Sequence, residues 1–156
     1  MAESQAKVEA WYREYGSVLL RYLSRRFGRC GADDLLQETF VQALRRPQRA
    51  GETVSPRAWL FGVARHVGIS AFRKRKLTVD LPGSVPARAA EADERLDEMR
   101  RAIAKLPAEM RETLELRLAD DLSYEEIAAV LEIPVGTVRS RLHNAVKKLR
   151  EEMCHE

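Results

Sequence analysis

Side chains able to contact base edges and phosphates of DNA are concentrated between residues 135 and 150. This segment carries five Lys or Arg residues and no Asp or Glu. Arginine, asparagine and serine hydrogen-bond base edges in the major groove, while cations neutralise the flanking phosphates. The pattern predicts a DNA-reading helix, with a basic surface helix that makes no base contact as the alternative. The residues expected to face DNA are Arg139, Ser140, Arg141, His143, Asn144 and Lys147.

This helix is the second half of a predicted helix-turn-helix that spans residues 122–150. Ser123 and Glu126 form a Ser-x-x-Glu pair, which is typical of a capped helix start. Pro134 interrupts the helical pattern, because proline lacks the amide that a continuing helix needs. After the interruption, apolar side chains repeat on one side at about 100° per residue. The residues of this predicted buried side are Val135, Val138, Leu142, Ala145, Val146 and Leu149.

Residues that could form a catalytic or metal centre are few and scattered. The three histidines stand at positions 66, 143 and 155, and no nucleophile motif accompanies them. Cys30 and Cys154 lack the CxxC spacing of a zinc cage, so we interpret both as ordinary thiols. Cys154 and His155 could contribute to a metal site, but no other ligand cluster accompanies them. We therefore expect no metal, no cofactor and no catalytic centre.

Charge is distributed unevenly along the 156 residues. Residues 1–76 carry 15 Lys or Arg and 7 Asp or Glu, a balance of +8, whereas residues 77–156 carry 12 and 17, a balance of −5. A basic half favours a polyanionic partner. The sequence contains no run of about 18 apolar residues and no signal-peptide pattern at its start, which argues against membrane insertion and predicts a cytoplasmic protein.

Three amphipathic helices are predicted in the first half of the chain. They span residues 5–27, 32–46 and 56–76, and Gly28 and Gly31 separate the first from the second. The side chains predicted to be buried are Trp11, Tyr15, Val18, Leu19, Tyr22, Leu23, Phe27, Leu35, Leu36, Thr39, Phe40, Ala43, Leu44, Trp59, Leu60, Val63, Ala64, Val67 and Phe72.

The third of these helices has distinctive residues at both ends. Ser55 and Pro56 supply an N-cap and a proline at the first helical position. The helix ends in the run Arg73-Lys74-Arg75-Lys76. Favourable charge at a helix C-terminus and contact with nucleic acid explain this run equally well.

Residues 77–92 contain two prolines and a glycine, show no hydrophobic period and mark the change of charge sign, which predicts a flexible linker. Further helices are predicted at 94–105 and 108–119, before the helix-turn-helix. Their predicted buried residues are Leu96, Met99, Ala102, Ile103, Met110, Thr113, Leu114 and Leu118. Because no segment has the pattern of a strand, the fold class is predicted to be all-α, with two small helical domains, 1–76 and 93–156, joined by the linker.

Four motifs follow one another along the chain. They are DDLLQETF at residues 33–40, RAWLFGVAR at 57–65, a Leu-Pro stretch at 106–117, and the helix-turn-helix residues 124–128 and 134–142. In order and spacing, these motifs resemble those of bacterial extracytoplasmic-function (ECF) sigma factors of the sigma-70 family. The first two are similar to its region 2, and the last two to its region 4. The resemblance covers nearly the whole chain.

The resemblance implies a promoter-specificity subunit that binds core RNA polymerase and promoter DNA, and an anti-sigma factor as a further partner. It gives the exposed acids and amides of the second helix a role beyond solvation. The residues implied to bind core polymerase are Asp33, Asp34, Gln37 and Glu38. The residues implied to face the minus 10 promoter element and its separated strand are Arg65, His66, Arg73, Lys74, Arg75 and Lys76. Those implied to contact the minus 35 element are Arg139, Ser140, Arg141, His143, Asn144 and Lys147.

Some positions depart from the family pattern. The loop at residues 47–55 lies where the family has its pocket for a flipped base, yet it contains no aromatic residue. His66 stands where Asn is common in the family, and Asn144 where Arg is frequent. Trp59 is expected to serve packing rather than DNA contact. The resemblance therefore does not predict which promoter sequence the protein prefers.

Two other functions remain open from the residues themselves. A stand-alone helix-turn-helix regulator, usually a dimer on two half-sites, would explain the last domain only. An enzyme acting on nucleic acid would need converging carboxylates or histidines, which the sequence does not indicate.

Overall fold

The computed structural model describes residues 2–46, 55–76 and 94–154. These residues form helices and no strand, which confirms the all-α fold. The helices are α1 (Ala2–Phe27), α2 (Ala32–Arg45), α3 (Pro56–Lys76), α4 (Glu94–Ala104), α5 (Ala108–Leu118), α6 (Tyr124–Leu131) and α7 (Val135–Met153).

The described helices belong to two compact units, α1–α3 and α4–α7, with residues 129–131 grouped with the first. The predicted linker at 77–92 and residues 47–54 of the predicted base-pocket loop lie outside the described residues. The predicted domain boundaries therefore stay a prediction.

In the first unit, α1, α2 and α3 all pack against one another. Their core is built from large apolar side chains, and Leu19, Tyr22, Leu23, Leu60 and Phe61 are almost completely buried. The rings of Tyr22 and Phe61 meet edge to face, with centroids 5.2 Å apart. Burial of each such side chain contributes about 1.5–3 kcal/mol. This core fixes which faces of α2 and α3 are left for partners.

The turn between α1 and α2 depends on two glycines. Gly28 has φ +94° and Gly31 has φ +86°, in the left-handed region that a Cβ atom disfavours. The amide of Gly28 donates to the carbonyl of Ser24 at 3.1 Å, which closes the last turn of α1. The predicted end of the first helix is therefore confirmed.

α1 and α3 approach each other closely at Gly68. A methyl group on Gly68 would overlap the ring of Phe27, the last residue of α1. That ring also lies edge-on to Tyr22, with centroids 6.3 Å apart. Only a residue without a side chain leaves room for Phe27 at this point of α3.

Two helix starts predicted from local sequence are capped by side chains. The amide of Ala58 donates to Ser55 Oγ at 3.1 Å, at the start of α3. At the start of α6, the amide of Glu126 donates to Ser123 Oγ at 3.1 Å, and the amide of Ser123 donates to Glu126 Oε1 at 3.1 Å. The predicted capping box is therefore confirmed, and it satisfies two amides that the helix itself leaves unpaired.

In the second unit, α7 packs against α4 and α5. It contributes a buried side whose residues are Val138, Leu142, Ala145 and Leu149. The side chains buried elsewhere in the unit include Ala102, Leu106, Leu114, Leu116, Leu122 and Ile127. The opposite side of α7 consequently faces away from the core of its own unit.

The turn between α6 and α7 also follows the prediction. Glu132 ends α6 in the left-handed conformation, with φ +57°. The amide of Ile133 donates to the carbonyl of Ala128 at 3.1 Å, and Pro134 stands at the N-cap of α7. The chain therefore leaves one helix and starts the next within three residues, as a helix-turn-helix requires.

Six side chains predicted to be buried are exposed, so these predictions were wrong. They are Leu44, Phe72, Leu96, Met99, Leu118 and Val146. Leu44, Leu96 and Leu118 lie in the first or last turn of their helices, where packing partners cover less of the helix surface. Conversely, Phe61 and Leu116 are buried although the predicted core omitted them. Where apolar residues lie close together in the sequence, the pattern does not show which of them faces the core.

α7 is longer than predicted. It continues beyond Arg150 to Met153 and so includes Glu151 and Glu152. Lys105, just after α4, places Nζ 2.6 Å from Glu152 Oε1. The helix is therefore basic only as far as Arg150, and two glutamates follow that arginine in its last turn.

Candidate functional site

The outward side of α7 presents most of the residues predicted to contact DNA. Arg139, Ser140, His143, Asn144 and Lys147 are all exposed. They share one side because α7 turns about 100° per residue while its apolar residues face α4 and α5. Two cations and three short polar side chains are therefore available together, as contact with base edges and phosphates requires.

Arg141 lies apart from this group, on the flank of α7 that faces α5. Its Nη2 atom is 3.5 Å from Oε2 of Glu109 in the first turn of α5. The Arg141 side chain is only 23% exposed, whereas that of Glu109 is 77% exposed. The structure therefore does not place Arg141 with the five exposed residues, and its guanidinium already has an anionic partner.

The other flank of α7 borders a surface groove of about 710 Å³. Tyr124 and Val146 contribute apolar surface to it, and Arg139, Lys147 and Arg150 contribute cations. The exposure of Val146 is explained by its position in this groove. Tyr124 and Arg150 are additional residues at this surface, which the predicted site did not include.

Tyr124 is held in place by Arg117 of α5. The Arg117 guanidinium lies 5.8 Å from the centre of the Tyr124 ring. Its Nη1 atom donates to the carbonyl of Leu122 at 3.2 Å and lies 3.4 Å from Asp121 Oδ1. Arg117 therefore links α5 to the start of the helix-turn-helix, although it is not among the predicted site residues.

The predicted minus 10 residues of α3 do not all share one side. His66 and Arg73 are exposed and lie seven residues apart, which brings them to the same side of the helix. Arg65 is half-buried. Arg75 points towards the α1–α2 turn, where a methyl group on Gly31 would lie 2.6 Å from its Nη2 atom.

Three further residues of α3 had a predicted role: Lys74, Lys76 and Trp59. Lys74 is exposed, and Lys76 is the last residue of α3, with its side chain outside the described part of the structure. Trp59 is half-buried and packs on Trp11, with ring centroids 5.9 Å apart. This contact supports the expected packing role of Trp59.

The outer face of α2 combines polar and apolar residues. The four predicted polymerase-binding residues, Asp33, Asp34, Gln37 and Glu38, are all exposed. One turn further along, Val41 and Leu44 are 39% and 46% exposed. The sequence analysis predicted neither at this surface, since it assigned Leu44 to the core and gave Val41 no role. A surface with both hydrogen-bonding and apolar parts suits a protein partner better than a purely charged one.

No metal centre is formed within the part of the chain that the structure describes. There, no three or more His, Cys, Asp and Glu side chains converge, and Cys30 and Cys154 are exposed free thiols. Among the same described residues, no helix combines the length and apolar character needed to cross a membrane.

Comparison with known families and proteins gives matches along nearly the whole chain. The family described as Sigma-70 region 2 matches residues 11–78, and the family described as Sigma-70, region 4 matches residues 96–149. The chain is 36% identical over 160 residues to the ECF RNA polymerase sigma factor SigL of Mycobacterium tuberculosis, covering 96% of this chain and 90% of SigL. It is 38% identical over 126 residues to the ECF sigma factor EcfG of Rhodopseudomonas palustris, covering 76% of this chain and 68% of EcfG.

A solved structure also resembles this fold along nearly the whole chain. It is the sigma factor RpoE of Bartonella quintana in complex with the anti-sigma factor NepR, with a TM-score of 0.66 and 28% sequence identity. The match covers 95% of this chain and 99% of RpoE. With region 2 and region 4 present in order, an all-helical fold and a relative of 36% identity over almost its whole length, the chain belongs to the ECF sigma factors of the sigma-70 family.

Proposed function

We propose that this protein binds core RNA polymerase and directs it to promoters through two DNA-contacting helices, α7 and α3. The observation that carries the proposal is the exposed polar and cationic side of α7 within a chain that matches sigma-70 regions 2 and 4. The polymerase would supply the chemistry, so this chain needs no catalytic centre of its own. Work on promoters with the polymerase also implies a cytoplasmic location.

In the proposal, α7 enters the major groove of duplex DNA at the minus 35 element. A major groove admits one α-helix, whose exposed donors then meet base edges. Arg139, Ser140, His143 and Asn144 would contact bases or adjacent phosphates, and Lys147 a phosphate. Arg141 would join them only on leaving Glu109, since the two now lie 3.5 Å apart.

In the proposal, α3 faces the minus 10 element and the strand that separates there. Strand separation leaves a backbone that needs cations along its path. His66 and Arg73 are suited to this role because they are exposed on one side of α3. The other proposed contacts on this helix are Arg65, Lys74, Arg75 and Lys76.

The proposed polymerase contact is the outer face of α2. Asp33, Asp34, Gln37 and Glu38 would hydrogen-bond or pair with the partner. Val41 and Leu44 would add apolar contact, which exposed carboxylates alone do not provide. None of these side chains is needed for the core of the first unit, so the face is available for binding.

An anti-sigma factor is proposed as the regulator that keeps this protein from the polymerase. The support is the similarity to RpoE of Bartonella quintana, whose solved structure is a complex with the anti-sigma factor NepR. Such a partner would have to cover surfaces that the polymerase or the promoter otherwise contacts.

The test is run-off transcription by core polymerase with and without this protein, over a library of promoter sequences. We expect transcripts from a subset of promoters only when the protein is added. A stable complex with core polymerase should appear in size-exclusion chromatography. Transcript patterns identical to those of core polymerase alone, together with no such complex, would contradict the proposed function.

A further inference from the structure

Tyr12 of α1 presents an aromatic ring beside the outer face of α2, and the residue is 51% exposed. We propose that Tyr12 belongs to the surface that binds core RNA polymerase, where its ring receives an apolar side chain of the polymerase. This inference rests on the proposed function and extends its polymerase contact from α2 to α1.

Four residues of α2 form a row along the helix, because steps of three or four residues return to the same side. They are Asp33, Gln37, Phe40 and Leu44. Asp33, Gln37 and Leu44 are exposed and belong to the proposed polymerase contact, whereas Phe40 is only 6% exposed. The exposed row is therefore interrupted at Phe40, between Gln37 and Leu44.

Tyr12 fills this interruption. Its ring packs edge to face on the ring of Phe40, with centroids 5.0 Å apart. Because Phe40 is buried while Tyr12 is half exposed, the ring of Tyr12 forms the surface at this point of the row. A partner that contacts both Gln37 and Leu44 along the row must therefore cross Tyr12.

The ring of Tyr12 is supported by both helices. On α1, a methyl group on Gly16 would lie 4.0 Å from Cγ of Tyr12, at an ordinary van der Waals distance. On α2, the ring of Phe40 lies beneath it. An aromatic side chain that is already held in place loses little conformational freedom on binding, so more of its contact energy contributes to affinity.

The composition of this surface favours a protein partner over a nucleic acid. Val41 and Leu44 are also exposed, so Tyr12 adds a third apolar side chain to those of α2. Asp33 and Asp34 are exposed on the same helix and would repel phosphates. Tyrosine is enriched at protein interfaces because its ring is apolar and its hydroxyl still forms hydrogen bonds.

The ring also has a role within the fold, which must be distinguished from binding. By covering Phe40, Tyr12 stabilises the first unit without any partner. Local charge does not separate the two roles, since Glu9, one turn before Tyr12, and Arg13, directly after it, are both exposed and opposite in sign. Separate measurements of unfolding and of affinity for polymerase do distinguish them.

Binding of core polymerase by variants of residue 12 provides the test. Tyr12→Gln would be compared with wild type by competition against a labelled sigma factor, at a temperature where circular dichroism shows both to be fully folded. The loss of the ring should weaken binding about fivefold to tenfold. Tyr12→Phe keeps the ring and should lose no more than about threefold, the share of one hydrogen bond.

Phe72→Gln is the matched control, since Phe72 is 47% exposed near the end of α3, outside the proposed polymerase contact. It removes a ring of similar exposure and should leave the affinity for core polymerase unchanged. Wild-type affinity of folded Tyr12→Gln would overturn the inference, and so would equal losses of affinity in Tyr12→Gln and Phe72→Gln.

Failure of this inference differs from failure of the proposed function. A wild-type protein that forms no complex with core polymerase would overturn the proposed function, and this inference with it. If replacing Asp34 and Gln37 weakens the complex while Tyr12→Gln does not, the polymerase contact is confined to α2 and only this inference fails.

Discussion

Arg141 of α7 pairs with Glu109 of α5, with Nη2 and Oε2 3.5 Å apart. The neighbouring Arg139 has no such partner among the described residues and is exposed on the outward side of α7. Two arginines that stand two residues apart in the sequence therefore face different surroundings. Arg139 is available to DNA, while Arg141 links α7 to α5.

Replacement of these two arginines should have unequal effects on promoter binding. We expect Arg139→Ala to weaken binding of the holoenzyme to a minus 35 duplex by about 1–3 kcal/mol, the range for a good base contact. Arg141→Ala should cost less than Arg139→Ala, because the Arg141 side chain is only 23% exposed and lies on the flank of α7 that faces α5. Fluorescence anisotropy with labelled duplex measures both.

Affinity for core polymerase is the control for these two variants and should remain at the wild-type value. A larger effect of Arg141→Ala than of Arg139→Ala would mean that Arg141 leaves Glu109 when DNA binds. Glu109→Gln should then strengthen promoter binding, because it removes the competing carboxylate.

Replacing Asp34 and Gln37 together with Ala should weaken binding to core polymerase about tenfold, which corresponds to about 1.4 kcal/mol. Both side chains are exposed, so the free energy of unfolding should change little. Competition against a labelled sigma factor measures the affinity. Glu14→Ala removes an exposed acid of α1 and serves as the control, with no change expected. Undiminished affinity of the double variant would exclude this part of α2 from the interface.

Ser123→Ala should destabilise the second unit by about 1 kcal/mol, because it removes the hydrogen bond that Ser123 Oγ accepts from the amide of Glu126. Chemical denaturation followed by circular dichroism measures the loss. Ser140→Ala is the matched control, since Ser140 is exposed on α7. It should leave stability unchanged and affect DNA binding instead. Equal stability of the two variants would contradict the capping role.

Gly68→Ala should destabilise the first unit by about 1–2 kcal/mol, since a methyl group there overlaps the Phe27 ring. Gly62→Ala, in the same helix, meets no atom within 4 Å and should stabilise the protein by about 0.5–1 kcal/mol. Thermal denaturation distinguishes the two. In a Phe27→Leu background, Gly68→Ala should cost less, and a cost independent of residue 27 would rule out the steric explanation.

Local chemistry explains which parts of the fold were predictable. The starts of α3 and α6 follow from Ser55 and Ser123, whose caps involve only residues nearby in the sequence. The break at Pro134 is equally local. Burial depends on other helices, and there prediction failed: Leu118 is 68% exposed, while Leu116, two residues earlier, is 1% exposed. No pattern within α5 distinguishes them without knowing where α7 packs.

In the candidate site, too, the features that depend on one helix were predictable and the contacts between helices were not. Helical periodicity correctly predicted that Ser140, His143 and Lys147 share an exposed side of α7. The pairing of Arg141 with Glu109 and the approach of Arg75 to Gly31 join residues of different elements. Such contacts arise from tertiary packing, so neither was available from spacing or composition.

The two glutamates that follow Arg150 make the two ends of α7 different in charge. Its 19 residues span about 29 Å, more than twice the roughly 12 Å width of a major groove. Glu152 is already paired with Lys105. Glu151 would be repelled by phosphates, whereas Arg139 and Lys147 would be attracted. In the proposed complex, the part of α7 from Arg139 to Lys147 would therefore occupy the groove, and Glu151 would lie beyond it.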